Sequence, residues 1–163
     1  MKCFIALYLS FLLLQSLDLD GIRSAYKAAA QDHIKVDAFY NRLAKVSKND
    51  KVELVAYKAS AIALKSKQAK TLKDKKEGFI EGITLLEETI KREPANIELR
   101  FIRLSIQENT PKLLKYKSEI ASDKHFILNQ YNSIKSIALK NYIKDYIAQS
   151  KGFSADEKSV ILD

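Results

Sequence analysis

The sequence predicts an all-α protein built from antiparallel helical hairpins, arranged as a short α-solenoid or an irregular helical bundle. Three observations lead there. Only 4 Gly and 2 Pro occur among 163 residues, too few of the turn markers that many short strands require. Lys, Leu, Ala and Ile, most of them good helix formers, are the commonest residues. Apolar residues recur at steps of three and four along most of the chain, the period of one helix face.

With 47% hydrophobic and 29% charged residues the chain lies in the globular range, far from the composition of disordered segments. Its size fits one domain, expected over residues 21–163, with residues 1–20 forming a secretory signal. Lys2 precedes the apolar run Phe4 to Leu14, and Gln15, Ser16, Asp18 and Asp20 follow it, in the charged, apolar, polar order of such a signal. The run is shorter than the roughly 20 residues of a membrane span. Export to the periplasm or envelope is therefore the expected localisation. The only cysteine, Cys3, stands inside this leader, so no disulfide framework or thiol chemistry is expected beyond it.

The elements follow in order. Ile22, Ala25, Tyr26 and Ala29, then Val36, Phe39, Tyr40, Leu43 and Val46, predict a long helix broken at Gln31-Asp32-His33, with Asp32 capping the second piece. Ser47-Lys48-Asn49-Asp50 closes the pattern, and Asp50 is placed to cap a helix with Val52, Val55, Ala59 and Ile62 on one face. Ala56 and Ala63 beside that face would let a neighbouring helix approach closely. The stretch from Lys65 to Gly78 lacks an apolar stripe and reads as an exposed helix end and connection. Phe79, Ile83, Leu86 and Ile90 mark an amphipathic helix stopping before Pro94. Gly78 and Gly82, four apart on it, point to close packing or to simple tolerance of glycine.

Residues 97–106 are ambiguous, since Ile97, Leu99 and Phe101 alternate like a strand while Ile97, Phe101 and Leu104 fit a helix. A lone strand would leave its backbone groups unpaired, so the expectation is a helix. Thr110-Pro111 reads as a cap and first residue of a short helix through Leu113, Leu114, Tyr116 and Ile120, ending near Ser122-Asp123. Helical spacing then runs from Phe126 to Ser150 with a break near Ser133 or Ser136, and Ser154-Ala155-Asp156-Glu157 is a capping box for a last helix.

The residue inventory argues against an enzyme. His33 and His125 are the only histidines and lie in no metal-binding motif, and the 4 glycines form no phosphate loop or nucleophile elbow. No cofactor or metal is expected. Two surfaces remain as candidates for binding. Arg100, Arg103 and Gln107 fall at helical steps and would offer donors to a carboxylate or peptide terminus, with Tyr142 and Tyr146 nearby in a tyrosine-rich, lysine-rich half. Lys65, Lys67, Lys70, Lys73, Lys75 and Lys76 form the most concentrated basic segment of a chain with net charge +8 and would suit an anionic surface or polymer.

The stretch Gly82-Ile83-x-x-Leu86-x-x-Thr89-Ile90-Lys91-Arg92-Glu93-Pro94-x-Asn96-x-Glu98 resembles the second helix of a tetratricopeptide repeat and the start of the next, over about one repeat of about 34 residues. That resemblance implies a tetratricopeptide-like stack of helix pairs with a groove for a protein or peptide partner. The phrases Val55-Ala56-Tyr57-Lys58, Arg100 to Asn109 and Leu139 to Ile147 are similar to small exported helical proteins of Gram-negative bacteria, which implies export and helices and carries no activity. The sequence thus reads as a non-enzymatic periplasmic or envelope interaction module holding a protein or peptide partner. The alternative is an envelope protein that holds an anionic surface through the lysine-rich segment. Export would keep the protein from nucleic acid.

Overall fold

A computed structural model describes residues 18–162, and it is all-α: eight helices and no strand among the described residues. Helix α1 (Leu19–Gln31) starts where the Asp18 carboxylate accepts from the Asp20 and Gly21 backbone N–H groups. Residues 1–17 of the expected leader lie outside the described residues, as does Cys3. Asp32 breaks the chain as its position predicts, accepting from the Ile34 N–H at 3.0 Å and opening a 3₁₀ turn (His33–Lys35) that leads into α2 (Val36–Arg42).

Helix α3 (Val52–Ser66) is buried almost all round, not on one face only, because α1, α2 and the next two helices, Leu72–Arg92 and Ile97–Glu108, all pack against it. Tyr57 and Ala61, off the expected stripe, are as inaccessible as Val55 and Ala59. The two serines on this helix satisfy their hydroxyls locally, Ser60 donating to the Tyr57 carbonyl and Ser66 to that of Ala63. Asp50 does not cap α3. Its carboxylate turns back to accept from the Ser47 backbone N–H at 2.6 Å and the Ser47 hydroxyl, which close the loop and hold its carboxyl below the usual range.

Helix α4 (Leu72–Arg92) starts about two turns before its first buried residue, Phe79, with the Thr71 hydroxyl accepting from the Asp74 N–H. It lies antiparallel along α3, and the glycine spacing is explained by close packing. A Cβ built on Gly82 would stand 2.7 Å from the Ala59 carbonyl oxygen and 2.8 Å from the Ala63 nitrogen. Helix α5 (Ile97–Glu108) follows a short turn, capped by the Asn96 side chain.

The strand-like alternation in α5 has a packing cause. Leu99 and Ile102 enter a core shared with α1 to α4, whereas Phe101 and Leu104 enter a second core with the C-terminal helices. A helix buried on two sides must be apolar on both, and that pattern imitates alternation.

The segment after α5 departs from the expected helix. Thr110 donates its hydroxyl back to the Ile106 carbonyl, and Lys112–Leu114 make only a 3₁₀ turn, ended by Lys115 at φ 49°. The next helix, α6 (Ile120–Gln130), contains Asp123 instead of ending at it. A 3₁₀ turn at Tyr131–Ser133 and the Ser136 cap mark the expected break before α7 (Ile137–Gln149). The last helix, α8 (Ala155–Leu162), opens on the expected capping box: Ser154 N–H donates to Glu157 at 2.8 Å and Glu157 N–H to the Ser154 hydroxyl. No described helix is long and apolar enough to cross a membrane.

Candidate functional site

The arginines of α5 are aimed inward. Arg103 is buried and grips Asp123 of α6 with two parallel bonds, Nε to Oδ2 and Nη2 to Oδ1, both 2.7 Å, while its Nη1 donates to Glu87 of α4 at 2.9 Å. Burial works against its positive charge, but the bonds and charges of Asp123 and Glu87 outweigh this and raise its pKa. Arg100 donates to Asp123 at 3.0 Å and to the Pro94 carbonyl, and its guanidinium lies over the Phe126 ring. The partners are therefore Asp123, Glu87 and, at 3.7 Å, Glu119, not the neighbouring acids of the same helix. Asp123 reads in sequence as a cap after Ser122, and nothing local distinguishes a buried ion-pair acid from a helix cap.

A second buried pair occupies the opposite face of α5. Glu98 accepts from Arg23 of α1 at Nε (2.8 Å) and Nη2 (2.6 Å) and from the Tyr57 hydroxyl at 2.8 Å. Tyr26, one turn further along α1, shares a hydrogen bond with the Ser105 hydroxyl; burial pushes its phenol up to about 12.

Gln107 is fully buried, and neither its amide nitrogen nor its amide oxygen has a hydrogen-bond partner. Tyr142 and Tyr146 pack edge-on against Phe101, each with ring centroids 5.1 Å away. The Tyr146 hydroxyl donates to Glu108, which also accepts from the Ser150 hydroxyl. Burial raises the pKa of both tyrosines, and the bond to Glu108 adds to the rise at Tyr146. Arg100, Arg103, Gln107, Tyr142 and Tyr146 are thus joined by α5, but as a polar seam between the two cores.

The lysines behave differently. Ser66, the last residue of α3, faces Gly78 of α4, so α4 begins about six residues, or about 9 Å, beyond the end of its partner helix. Everything from Thr71 to Glu77 is exposed in consequence. Lys65 pairs with Asp37 at 2.5 Å and Lys73 lies 3.8 Å from Glu77, both pairs largely in solvent. Lys67, Lys70, Lys75 and Lys76 make no ion pair with any described residue.

The turn between α1 and α2 is tied to the same end, because the Gln68 side chain donates to the His33 carbonyl at 2.8 Å. That brings Lys35 alongside. Seven lysines then stand at this end (35, 65, 67, 70, 73, 75, 76) against four acids (Asp32, Asp37, Asp74, Glu77). Two exposed apolar residues, Ile34 and Leu72, stand among them, and sequence reading singled out neither.

Hollows are shallow. One of about 270 Å³ lies behind the lysine-rich end, lined by Tyr40, Ile62, Lys65 and Gly78 among others, and one of about 300 Å³ lies between the α2–α3 loop and α4. Among the described residues no group of three or more His, Cys, Asp or Glu side chains is gathered as a metal site would require. His33 and His125 lie far apart in sequence and in different elements, the latter bonded to Asn129 on its own helix. Set against known protein families, curated proteins and solved structures, the chain matches none of them.

Proposed function

We propose that this protein is a non-enzymatic binding module of the bacterial envelope, and that it holds an anionic surface or polymer through its lysine-rich end. One observation carries the reading: Lys67, Lys70, Lys75 and Lys76, which pair with no acid among the described residues, stand on a segment that projects past the end of α3. Seven ammonium groups against four acids set up a net positive potential at this end, and that potential is relieved by an external anion. The export expected from the first 20 residues would bring such an end to envelope surfaces.

A protein or peptide partner held at Arg100, Arg103 and Gln107 is the second reading. Its carboxylate would have to replace Asp123, which already takes three guanidinium bonds, so it is supported less well.

The test is binding to an anionic matrix as salt is raised. Binding is expected to weaken steeply between about 50 and 300 mM salt, as the screening length falls below about 10 Å. Reversing three of the free lysines, Lys70→Glu with Lys75→Glu and Lys76→Glu, is expected to abolish it without changing the thermal midpoint. Binding indifferent to salt and to these changes would overturn the reading. Export is tested separately by the mass and N-terminus of the native protein in separated cell fractions; an intact Met1 in the cytoplasm would sink it.

A further inference from the structure

The lysine-rich end is more than a charged surface. The buried residues of α4 include Phe79, Gly82, Leu86 and Ile90, all on one stripe. Stepping back seven residues from Phe79, which is two turns and within about 20° of the same direction, gives Leu72. Leu72 thus continues the apolar stripe that elsewhere packs on α3. Because α3 ends at Ser66, opposite Gly78, no described residue covers that continuation, and Leu72 is 85% exposed. On the adjoining turn, which the Gln68 to His33 bond fixes to the same end, Ile34 is 76% exposed.

Single exposed apolar side chains are ordinary on a protein surface. Two of this size at one end, where seven lysines stand against four acids, are a different arrangement. A soluble polyanion is matched by the lysines alone and gains nothing from Leu72 or Ile34. A bilayer containing anionic phospholipid is matched by both, with phosphates opposite the ammonium groups and the acyl boundary opposite the apolar tips. The lysine side chains suit this geometry, since their apolar stems can lie along the interface while the charged ends reach the phosphates.

We infer that this end docks on a bilayer bearing anionic phospholipid, with Leu72 and Ile34 seated below the phosphates and Lys67, Lys70, Lys75 and Lys76 at their level. The inference rests on the anionic-surface reading above and names its surface. No insertion of a helix is involved; the contact is peripheral and reversible, held by a few charges and two side chains.

The experiment compares flotation with vesicles of phosphatidylglycerol in phosphatidylcholine, flotation with pure phosphatidylcholine vesicles, and binding of inorganic polyphosphate. It uses the full chain with Leu12→Glu and Leu13→Glu in every protein, so that the apolar N-terminal run does not itself seat in lipid. The parent is expected to bind the anionic vesicles and not the neutral ones. Leu72→Gln combined with Ile34→Gln is expected to weaken vesicle binding about tenfold or more while leaving polyphosphate binding unchanged. Ile137→Gln, an equally exposed change at the start of α7, is expected to alter neither. Unchanged circular dichroism and melting confirm that these surface variants fold.

Vesicle binding unaffected by the double change, or binding of polyphosphate alone, would overturn the docking inference and leave the anionic-surface reading standing. Equal binding to neutral vesicles would overturn the role of the lysines in docking. No binding to either anion would overturn both readings together.

Discussion

On one face of α5 the buried charge belongs to Glu98, which takes Arg23 of α1 and Tyr57 of α3; on the other it belongs to Arg103, which takes Asp123 of α6 and Glu87 of α4. The chemistry is alike, a guanidinium and a carboxylate joined by two bonds. The surroundings are not. Among the described residues, Glu98 lies in a core of 17 buried apolar side chains from α1 to α5 and the α2–α3 connection, whereas Arg103 adjoins one of nine, to which three C-terminal helices contribute. A large apolar core tolerates the loss of one polar link better than a small one. The C-terminal helices therefore depend more on Asp123 than the N-terminal ones depend on Glu98.

Asp123→Asn is expected to have the largest effect, since it leaves two guanidinium groups facing a neutral amide at a fully buried position. Breaking one partner of such a pair costs about 3–5 kcal/mol. Urea unfolding would measure the total, and amide hydrogen exchange its distribution, with α6 to α8 losing protection first while α1 to α4 keep theirs. Glu98→Gln is expected to cost less, because Glu98 serves one guanidinium where Asp123 serves two, and to loosen the whole chain evenly. Equal loss of protection in both halves after Asp123→Asn would show one cooperative unit and end the distinction.

Alkaline pH probes the same comparison through tyrosine. Burial first, then hydrogen bonding or nearby charge, raises the pKa of Tyr57, Tyr116, Tyr142 and Tyr146, and burial alone raises that of Tyr26 to about 12. Below about pH 10 both folded and unfolded phenols are protonated and stability is unaffected. Above it the unfolded chain loses protons that the folded one keeps, so stability falls as pH rises from about 10 toward 12. Tyr26 alone accounts for about 2 kcal/mol of that fall by pH 12, at about 1.4 kcal/mol per pKa unit. Denaturant midpoints from pH 8 to 12 would show the decline. Tyr26 is expected to ionise before Tyr142 and Tyr146, whose phenols burial and neighbouring charge raise further still; tyrosinate absorbance in the reverse order would show that the C-terminal half opens first.

Gly82→Ala tests why the N-terminal half is the firmer one. The new methyl would meet backbone atoms of α3 at Ala59 and Ala63, which cannot swing aside, so α3 and α4 must separate. The expected loss is about 2 kcal/mol despite the better helix propensity of alanine. At Gly78 the obstacle is mainly the small Ser66 side chain, and Gly78→Ala is expected to cost less. Thermal melts of the two variants rank them, and a reversed order would place the tightest approach elsewhere.

Much of this architecture was legible in the sequence because helices write their period locally. The breaks at Asp32 and Ser136 and the Ser154–Glu157 capping box appear where the residues point. What was not legible depends on neighbours distant in the chain. Asp50 and Asp123 both read as caps, yet one closes a loop and the other receives two arginines from α5, and only the fold separates these fates. The same holds for function. The lysines are visible as a run, whereas the exposure of Leu72 follows from where α3 stops, and Ile34 joins it only through the turn that Gln68 holds.

Gln107 offers the smallest and most diagnostic change. Its spacing from Arg103 places it with the arginines as a donor to a partner, but its amide is sealed at the seam with no bond to either atom. A buried amide without partners costs stability, whereas an apolar group of similar shape does not. Gln107→Leu is therefore expected to leave the urea midpoint unchanged or raise it, by up to about 1 kcal/mol of stability, in contrast to every other seam substitution. A loss of more than about 1 kcal/mol would mean that the amide holds a buried water or reaches Glu108, whose Oε1 is also unpaired, and that the seam is a connected polar network. In that case Gln107 joins Glu108, Tyr146 and Ser150 in one polar network that ties α5 to α7, and the smaller apolar core ceases to be the weak point of the C-terminal helices.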